Sequence, residues 1–502
     1  MLTIQKPTSI LQHGGSEVYK VKNLVEDYSV TTNFMGPSLV GLRYMKNNIL
    51  SMNHYPPTNK NFFQKGLDFL KTKHDNVIWG NGASELIDLS IRYLVKKFNY
   101  TSFTKGENVQ FMEYERSCIN NGLILNEKKG DILIIINPNN PTGKYMNIDE
   151  DFFDLVNKKL NDGGTLILDE SMLFWIKNWE DKSAMFKINL RDLLDTKGAN
   201  LIVVHSWTKI FSCTGLRFGS IWSYDINLIK EIETLQVPWS VNILAFHYLN
   251  GCLDDPMYLR ETLSNTPVLR ENMKNRLLEI FPFVEIYGEP FLSWLWIDFK
   301  SNSLVNKIHK KLFDNGILIR KGEVGYKQDT FIRIAVRSHT QNNILFRLLS
   351  QVKIEIFKPT YSFPIADEII YGLVNINEKY ILRHENVVEE RKVNLKKYLE
   401  NNDYFILPSI IVCSKTLMII DGHHRFEIYK ENNVKEIPVL LVNYENENII
   451  THPSNPIDKN DIVNSALTGS YLLPKTTKHL IKDKDNILRP LISLSILKDL
   501  YI

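Results

Sequence analysis

One lysine of this sequence stands among residues that could hold a phosphate group. Lys209 follows an apolar run, has the hydroxyl groups of Ser206 and Thr208 beside it, and precedes Arg217. A lysine amine can form a Schiff base with an aldehyde, and hydroxyl and guanidinium groups bind phosphate. The segment therefore suits an aldehyde cofactor that carries a phosphate; a lysine in a surface loop is the alternative.

Two polar residues at the ends of apolar runs could hold the ring of such a cofactor. Asn140 lies in an Asn/Pro/Gly turn after the run Ile132–Ile136, and Asp169 ends the run Thr165–Leu168. In open α/β sheets, ligands bind at the carboxyl ends of the strands. There the Asn140 amide would donate to a phenolic oxygen, and a buried Asp169 would keep a pyridine nitrogen protonated, which makes the ring an electron sink. The alternatives are an ordinary turn and a helix cap.

A glycine-rich turn comes before these residues in the chain. The segment Gly80–Glu85 reads Gly-Asn-Gly-Ala-Ser-Glu and opens an amphipathic helix. Backbone N–H groups at the start of a helix bind phosphate, which here points to Gly82, Ala83 and Ser84. The alternative is an ordinary helix start that Ser84 caps.

In this order, the glycine-rich turn, Asn140, Asp169, Lys209 and Arg217 resemble the cofactor site of fold-type I pyridoxal-phosphate enzymes. The resemblance covers roughly residues 8–350 and is strongest to the group of histidinol-phosphate aminotransferases and threonine-phosphate decarboxylases. It implies pyridoxal 5'-phosphate as cofactor and Lys209 and Asp169 as catalytic residues. It also implies an α/β fold, with a mostly parallel seven-stranded sheet in a large domain and a small α+β subdomain.

Further residues resemble the decarboxylase branch of this group. His13, in His-Gly-Gly, is similar to a phosphate-contacting histidine, and Asn33 stands in the matching place of a substrate-binding segment. Phe111 matches the aromatic residue that stacks on the cofactor ring. Tyr55, in Tyr-Pro-Pro, resembles a tyrosine that reaches the cofactor phosphate of a neighbouring subunit, and this implies a homodimer.

The strand-like run Phe331–Arg337 is similar to a family strand that carries two arginines. By this resemblance, Arg333 would bind the substrate α-carboxylate and Arg337 the substrate phosphate, for which the guanidinium fork is suited. Met172, where an aromatic residue is usual, and Val109, where proline is usual, depart from the family pattern.

The elements that must position these residues alternate between strands and helices. Such alternation predicts a mostly parallel sheet with helices on both faces, followed by a smaller α+β unit. The predicted strands are Val109–Met112, Ile132–Ile136, Thr165–Leu168, Leu201–His205, Leu292–Ile297 and Phe331–Val336, and the predicted helices are Glu85–Lys97, Glu150–Leu160, Leu304–Asp314 and Asn342–Val352. A polar stretch with two prolines at residues 357–364 indicates a boundary, which divides the chain into 1–356 and 357–502.

The second part contains another candidate site. An apolar strand runs into Asp421 and Gly422, and a helix begins with His423, His424 and Arg425. Helix N–H groups, imidazoles and a guanidinium together favour an anion such as a nucleotide phosphate, and Asp421 could hold Mg²⁺. A solvated helix start is the alternative, and a zinc site is disfavoured because adjacent histidines point in different directions.

This part resembles the ParB/sulfiredoxin α+β fold, and within it the free-serine kinases. Glu385, before a helix, matches the catalytic glutamate and is the expected general base, and Thr477 and His479 match substrate-binding residues. Lys478 stands where arginine is usual, and Asn386 replaces a second acidic residue. The resemblance implies L-serine as substrate and ATP or ADP as phosphoryl donor. A DNA-binding or nucleotide-switch module is the alternative, but the sequence has no basic stripe, helix-turn-helix segment or Walker A motif.

The composition of the chain narrows the possible partners and the location. The chain has 502 residues, a formal net charge of +3 and 44% hydrophobic residues, so it can bury large cores and has no excess charge for a nucleic acid or an anionic membrane. The four cysteines form no C-x-x-C pair, which favours a reducing, cytoplasmic location. No apolar run approaches the roughly 20 residues that span a bilayer.

Together, the two resemblances predict a bifunctional enzyme. The second part would phosphorylate L-serine to O-phosphoserine, and the first would decarboxylate O-phosphoserine to phosphoethanolamine. Threonine and its phosphate are the substrate alternative. An aminotransferase for an amino-phosphate, with the second part supplying or sensing substrate, and a regulator that binds DNA or nucleotide are the functional alternatives.

Overall fold

The computed structural model describes residues 13–57, 60–400, 404–452 and 456–501. The predicted resemblance therefore begins, at residues 8–12, outside the described residues. Helices and strands alternate along the first half of the chain, as the sequence predicts. They are β1 (Glu26–Asp27), α1 (Leu39–Asn47), α2 (Gln64–Phe69), β2 (Val77–Gly80), α3 (Ala83–Phe98), β3 (Ser102–Lys105), α4 (Glu113–Asn120), β4 (Ile124–Leu125), β5 (Gly130–Ile136), α5 (Glu150–Lys159), β6 (Leu160–Asp169), α6 (Ile188–Thr196), β7 (Asn200–Ser206), α7 (Trp207–Ile210), β8 (Gly219–Trp222), α8 (Ile226–Glu233) and α9 (Ile243–Leu253).

A seven-stranded sheet forms the centre of this part, with the strand order β2-β8-β7-β6-β5-β3-β4. Strand β8 is antiparallel to both of its neighbours, and the other pairs are parallel. The predicted mostly parallel seven-stranded sheet is thus confirmed. Three strands at its centre, β5, β6 and β7, end side by side, so the residues after them meet at one edge.

Both faces of this sheet are covered, because the run Ile132–Ile136 of its central strand β5 is apolar and buried at every position. Leu133 and Ile135 face one buried cluster, and Ile132 and Ile134 face the other. This explains why β5 appears in the sequence as an unbroken apolar run instead of an alternating one.

One predicted strand is wrong. Residues Val109–Met112 form a turn that leads into α4, and the strand at this place is the earlier segment Ser102–Lys105. The physical reason is that Phe103 and Thr104 are fully buried next to β5, whereas Val109 is only half-buried. The turn still carries Phe111 to the edge of the sheet.

The next segment forms a smaller α+β unit. Its antiparallel sheet has the strand order β12-β13-β10-β9. Its elements are α10 (Pro256–Ile280), β9 (Glu285–Tyr287), β10 (Trp294–Asp298), α11 (Asn302–Asp314), β11 (Ile317–Leu318), β12 (Arg320–Lys321), α12 (Glu323–Tyr326), β13 (Phe331–Ala335) and α13 (His339–Ile354). The four predicted elements of this unit lie within a few residues of those observed.

The remaining residues form a second α+β unit. It contains sheets with the orders β14-β18-β16-β17 and β19-β20-β21 and the pair β15-β22. The elements are β14 (Ile370–Asn377), α14 (Glu389–Glu400), β15 (Tyr404–Pro408), β16 (Ile410–Cys413), β17 (Ile419–Asp421), α15 (His423–Glu431), β18 (Glu436–Val442), β19 (Ile449–Thr451), α16 (Lys459–Thr468), β20 (His479–Lys482), β21 (Leu488–Pro490) and β22 (Leu497–Tyr501). Its likeness to the ParB/sulfiredoxin fold and the boundary at residue 357 stay predictions.

The two α+β units share one apolar core. Val374 and Ile376 of β14 are buried in the same cluster as Phe281 and Phe299 of the smaller unit. Polar contacts also join the units, since the Glu436 carboxylate accepts hydrogen bonds from the backbone N–H groups of Asn302 and Ser303 at the start of α11. The four cysteines are unpaired. Within the described ranges, none of the helices has the length and apolar character needed to cross a bilayer.

Candidate active sites

A cavity of about 580 Å³ opens at the carboxyl ends of β5, β6 and β7. Its walls come from the glycine-rich turn, the ends of these strands, the segment at residues 13–31 and the small sheet. The predicted site residues that line it are His13, Ala83, Ser84, Phe111, Asn140, Asp169, Ser206, Thr208, Lys209, Arg217 and Arg333. The structure thus brings together most of the residues that the sequence assigns to a cofactor.

Lys209 lies on α7, the short helix directly after β7, and lines the cavity. Burial, together with the positive charges of Arg333 and Arg217, lowers the pKa of its amine to about 8. A larger fraction of the amine is therefore neutral near neutral pH than for an exposed lysine, and only the neutral form attacks an aldehyde.

Asp169 ends β6 and is almost fully buried. Its Oδ2 accepts a hydrogen bond of 2.8 Å from the Tyr114 hydroxyl, and its Oδ1 accepts one of 2.8 Å from the Ser171 N–H. Burial raises the pKa of the carboxyl despite these two donors. No lysine or arginine of the described residues forms an ion pair with Asp169, so a protonated ring nitrogen in the cavity would supply the missing positive charge. Tyr114, which the sequence did not point out, holds this carboxylate in place.

A cradle for a phosphate group lies at the start of α3. Gly82 is the residue before the helix, with φ of 84°, and no side chain caps the helix start, so the Ser84 cap is wrong. A Cβ at Gly82 would stand 2.5 Å from Nη2 of Arg217, so the close approach of the arginine requires glycine. The Ser206 and Thr208 hydroxyls lie 3.0 Å apart on the cavity wall.

Two arginines face each other on the substrate side of the cavity. Arg320 on β12 and Arg333 on β13 are register partners, and both are buried lining residues. Arg333 donates to the Asn140 side-chain oxygen at 2.6 Å and to the Ser29 carbonyl at 2.6 Å, and Arg320 donates to the Val324 carbonyl at 2.8 Å. Burial and the Arg333 charge lower the pKa of Arg320. No carboxylate of the described part of the chain forms an ion pair with either guanidinium.

Sequence reasoning missed Arg320. The signal that could have found it is weak: an arginine that follows the apolar run Ile317–Ile319, two residues before a glycine. Only the pairing of β12 with β13 places it beside Arg333.

Phe111 and His13 form the opposite wall of the cavity. Their ring centroids are 5.7 Å apart, and Nε2 of His13 lies 2.7 Å from a carboxylate oxygen of Glu113. Arg116 bonds the other carboxylate oxygen of Glu113. These contacts fix the His13 ring at the cavity wall.

Three predicted residues lie away from the cavity. The Asn33 side chain donates to the Ile210 carbonyl at 3.0 Å and to the Thr262 hydroxyl at 2.5 Å, so it anchors the chain around α7 instead of contacting substrate. Arg337 is buried against the carbonyls of Val30 and Thr32 and ion-pairs with Glu26. Its donors are occupied, which corrects the expectation that it binds a phosphate.

Tyr55 is the third, and it is 75% exposed. Its ring stacks on Trp239 at 4.3 Å. It does not line the cavity of its own chain, and its role in a neighbouring subunit stays a prediction.

In the C-terminal unit, the predicted base and the predicted substrate contacts come together. Oε1 of Glu385 accepts a hydrogen bond from the backbone N–H of Lys475 at 3.2 Å, and its Oε2 lies 3.0 Å from the Thr477 hydroxyl oxygen. His384, which sequence reasoning did not assign, lies 2.8 Å from the same hydroxyl. The residues before α14 and those after α16 thus form one polar cluster.

Two further histidines pack around this cluster. The His423 ring lies 4.5 Å from that of His384, and its Nε2 has no hydrogen-bond partner. The Tyr444 hydroxyl lies 2.7 Å from Nε2 of His479. Burial lowers the pKa of His479 to about 3 and that of His423 well below its usual range, so both rings are neutral.

The start of α15 carries the other predicted residues. Gly422, with φ of 111°, precedes the helix, and Asp421 forms an ion pair with Arg425. The Arg425 guanidinium also donates to the carbonyls of Pro408 and Ser409, and Nε2 of His424 accepts from the Val388 N–H. Arg425 therefore holds Asp421 in place, and Nε2 of His423 is buried without a hydrogen-bond partner among the described residues.

The donor set at Asp421 is too small for a standing metal site. Among the described residues, no three His, Cys, Asp or Glu side chains group around a point that could hold a metal. Mg²⁺ usually keeps several waters and takes one or two carboxylates together with phosphate oxygens. Asp421 alone fits only a magnesium ion that arrives with a nucleotide.

Comparisons with known proteins agree with the first of these sites. The model of the aminotransferase class I and II family matches residues 46–349. A histidinol-phosphate aminotransferase from Pelagibacter ubique is 24% identical over 358 residues, which cover 68% of this chain and 94% of that protein. A proposed threonine-phosphate decarboxylase from Caldanaerobacter subterraneus subsp. tengcongensis is 28% identical over 364 residues, which cover 67% of this chain and 93% of that protein.

The fold comparison gives the same result. The structure of the histidinol-phosphate aminotransferase from Sinorhizobium meliloti in complex with pyridoxal-5'-phosphate matches with a TM-score of 0.57 and 16% identity, covering 70% of this chain and 98% of its own. The family model alone spans more than half of the present sequence. The chain belongs to the class I and II aminotransferase family.

Proposed function

We propose that this chain is a bifunctional enzyme that converts L-serine to phosphoethanolamine in two steps. The C-terminal unit phosphorylates the serine hydroxyl with ATP or ADP as donor. The cavity at the seven-stranded sheet then releases the carboxylate of O-phosphoserine as carbon dioxide, with pyridoxal 5'-phosphate as cofactor. No step involves nucleic acid or a membrane.

The pair Arg320 and Arg333 is the observation that supports a substrate with two anionic groups. Two guanidinium groups side by side repel each other, and no carboxylate of the described residues forms an ion pair with either of them. A substrate with two anionic groups, a carboxylate and a phosphate, would do so through charge-assisted hydrogen bonds. The two relatives, a histidinol-phosphate aminotransferase and a proposed threonine-phosphate decarboxylase, are each named for a phosphorylated amino compound.

In the decarboxylation step, pyridoxal 5'-phosphate, when bound, supplies an electron sink for the charge left at the substrate Cα. Lys209 would hold the cofactor aldehyde through its amine. Asp169, oriented by Tyr114, would keep a proton on the ring nitrogen. Arg217, Ser206, Thr208 and the N–H groups at the start of α3 would hold the phosphate, and Asn140 would donate to the phenolic oxygen.

In the phosphorylation step, Glu385 takes the proton of the serine hydroxyl. The hydroxyl oxygen forms a bond to the terminal phosphorus of the nucleotide, and the bond from that phosphorus to the bridging oxygen breaks, so the nucleotide leaves shorter by one phosphoryl group. The start of α15, with His423, would face the nucleotide phosphates. Thr477 and His479 would contact the serine.

Transamination of an amino-phosphate is the second candidate, because the relative from Pelagibacter ubique is an aminotransferase. Both reactions need the same cofactor residues and differ in which bond at Cα stands perpendicular to the ring. Dependence on 2-oxoglutarate would select transamination. Threonine and threonine phosphate are the alternative substrates for the two steps.

The deciding experiment incubates the full chain with L-serine, Mg²⁺, pyridoxal 5'-phosphate and either ATP or ADP. Mass spectrometry should detect O-phosphoserine first and phosphoethanolamine later. Accumulation of O-phosphoserine without phosphoethanolamine would refute the decarboxylase half. A parallel reaction with threonine decides between the two hydroxy amino acids.

Arg320→Met should weaken the use of O-phosphoserine. The change removes one of the two cations but keeps a long apolar side chain over Tyr326. Because a hydrogen bond to a charged group contributes about 1.5–3 kcal/mol, kcat/KM should fall about 10- to 100-fold, mostly through KM. Steady-state kinetics with added O-phosphoserine measure this, with Arg191→Met as the control on an exposed helix. An unchanged KM would show that Arg320 does not bind the substrate.

The chain should form a homodimer through the surface around Tyr55. Leu39, Leu50 and Met52 expose their side chains near it in the chain, and Val237 and Trp239 extend the apolar surface. Exposed apolar side chains that lie together are typical of an interface. Light scattering should give twice the chain mass, and Leu50→Asp should shift it toward the monomer. The control is Ile354→Asp, whose side chain is equally exposed on α13; a monomeric wild type would contradict the proposal.

A further inference from the structure

One hydroxyl hydrogen in the C-terminal unit stands between two acceptors. Oγ1 of Thr477 lies 2.8 Å from Nε2 of His384 and 3.0 Å from Oε2 of Glu385. A threonine hydroxyl has a single hydrogen, so it can donate to one of the two at a time. Whether His384 or Glu385 accepts this hydrogen determines how strongly Glu385 can act as a base.

The hydrogen positions on His384 follow from its other contact. Nδ1 of His384 lies 2.7 Å from the Ile419 carbonyl, which can only accept, so Nδ1 carries a hydrogen. Burial lowers the pKa of this imidazole to about 4, so the ring is neutral and Nε2 carries none. Nε2 is therefore an acceptor on a fully buried side chain, and leaving it without a donor would be costly.

The Glu385 carboxylate has other donors. The backbone N–H of Lys475 lies 3.2 Å from Oε1, and that of Thr477 lies 3.3 Å from Oε2. The Thr477 hydroxyl is therefore expected to donate its hydrogen bond to Nε2 of His384, since Glu385 has two backbone donors. When it lies there, an oxygen lone pair of Thr477 faces the carboxylate, and this contact becomes a hydrogen bond only once Glu385 has gained a proton.

We infer that His384 is a positioning residue. By accepting the hydrogen bond of the Thr477 hydroxyl, it makes Glu385 a stronger base toward the substrate hydroxyl. The chain of hydrogen bonds from Glu385 through Thr477 and His384 to the Ile419 carbonyl is complete only when Glu385 is protonated. Proton capture from the substrate completes it. This inference rests on the proposed serine kinase activity, in which Glu385 is the base.

The two histidines that face His384 are neutral. His423 and His479 face the His384 ring, and both are neutral because burial lowers their pKa values. Arg383 and His424 lie beside His423, and Lys475 lies near His424. A difference between the variants in the acidic limb of the pH profile therefore tests the contact between Thr477 and Glu385.

The kinetic test compares His384→Leu with His384→Gln, each alone and together with Thr477→Val, in the full chain with cofactor. His384→Leu releases the threonine hydrogen to Glu385, so kcat for serine phosphorylation should fall about tenfold, and the acidic limb should move about one pH unit lower. His384→Gln places an amide oxygen near the former Nε2 and should restore most of the rate. In the Thr477→Val background, His384→Leu should change kcat less than twofold, because the hydroxyl through which it acts is gone.

Equal losses from His384→Leu in both backgrounds would overturn the inference, since a merely structural role does not depend on Thr477. A second measurement needs no activity: nitrogen-15 NMR of histidine-labelled protein, with the His384 signal assigned from the His384→Gln spectrum, should show Nδ1 protonated and Nε2 bare. A proton on Nε2 would overturn the inference. Absence of serine phosphorylation in the wild type would instead refute the kinase proposal and leave the NMR result to decide the hydrogen position.

Discussion

Lys209→Ala should abolish phosphoethanolamine formation and leave serine phosphorylation intact. The change removes the amine that holds the cofactor aldehyde in the cavity at the ends of β5, β6 and β7. Removal of a residue that acts covalently typically costs on the order of three or more powers of ten in rate. O-phosphoserine should therefore accumulate from L-serine, as measured by mass spectrometry of the products over time.

A second measurement on the same variant reports the covalent link itself. Borohydride reduction of the wild type should fix the cofactor on the peptide that contains Lys209, whereas the variant should carry none. The attachment should become faster as the pH rises through about 8, because the pKa of Lys209 is lowered to about that value and the neutral amine reacts. Lys144→Ala, at an exposed lysine paired with Glu107, is the control. Full decarboxylase activity of Lys209→Ala would refute the assignment.

The cofactor side of the cavity could be predicted from the sequence because it depends on local order. Asn140, Asp169 and Lys209 each follow an apolar run, and adjacent parallel strands end at one edge of a sheet. Knowing that each run is a strand is enough to place all three residues together. Phe111 reached the cavity although its predicted strand is wrong, because the turn before α4 ends at the same edge.

The substrate side could not be predicted in this way, because it depends on contacts between distant segments. Both Arg333 and Arg337 are on or next to β13, and nothing local distinguishes them. Only the fold shows that the segment around Val30 and Thr32 covers Arg337, while β12 brings Arg320 beside Arg333. A sequence motif reports the type of side chain, and the packing of the chain decides which guanidinium stays available.

The predicted boundary at residue 357 likewise gives no information on the contacts between the segments that it separates. The proline-containing stretch marks a change of sheet, but the apolar side chains of β14 continue the core of the smaller α+β unit, and Glu436 accepts hydrogen bonds at the start of α11. Separation at the boundary would expose this shared apolar surface to water, which costs roughly 25 cal/mol per Å². Experiments that separate the two activities should therefore use point variants in the full chain instead of fragments.

Glu385→Gln is the point variant expected to stop the first step. The single amide oxygen of a glutamine can still accept from the Lys475 or the Thr477 N–H group, so one of the two backbone contacts to the loop after α16 is kept, but the amide cannot take a proton from serine. Loss of a general base typically lowers the rate about 10²- to 10⁴-fold. O-phosphoserine formation from L-serine and nucleotide should fall by this amount.

The same variant should decarboxylate added O-phosphoserine within about twofold of the wild-type rate, since a substitution away from the cavity leaves its transition-state contacts unchanged. Glu389→Gln, at the exposed start of α14, serves as the matched control for charge removal. Retained phosphorylation would show that Glu385 is not the base. Loss of both activities would contradict independent sites, because the residues around Glu385 belong to the C-terminal unit and those around Lys209 line the cavity of the seven-stranded sheet.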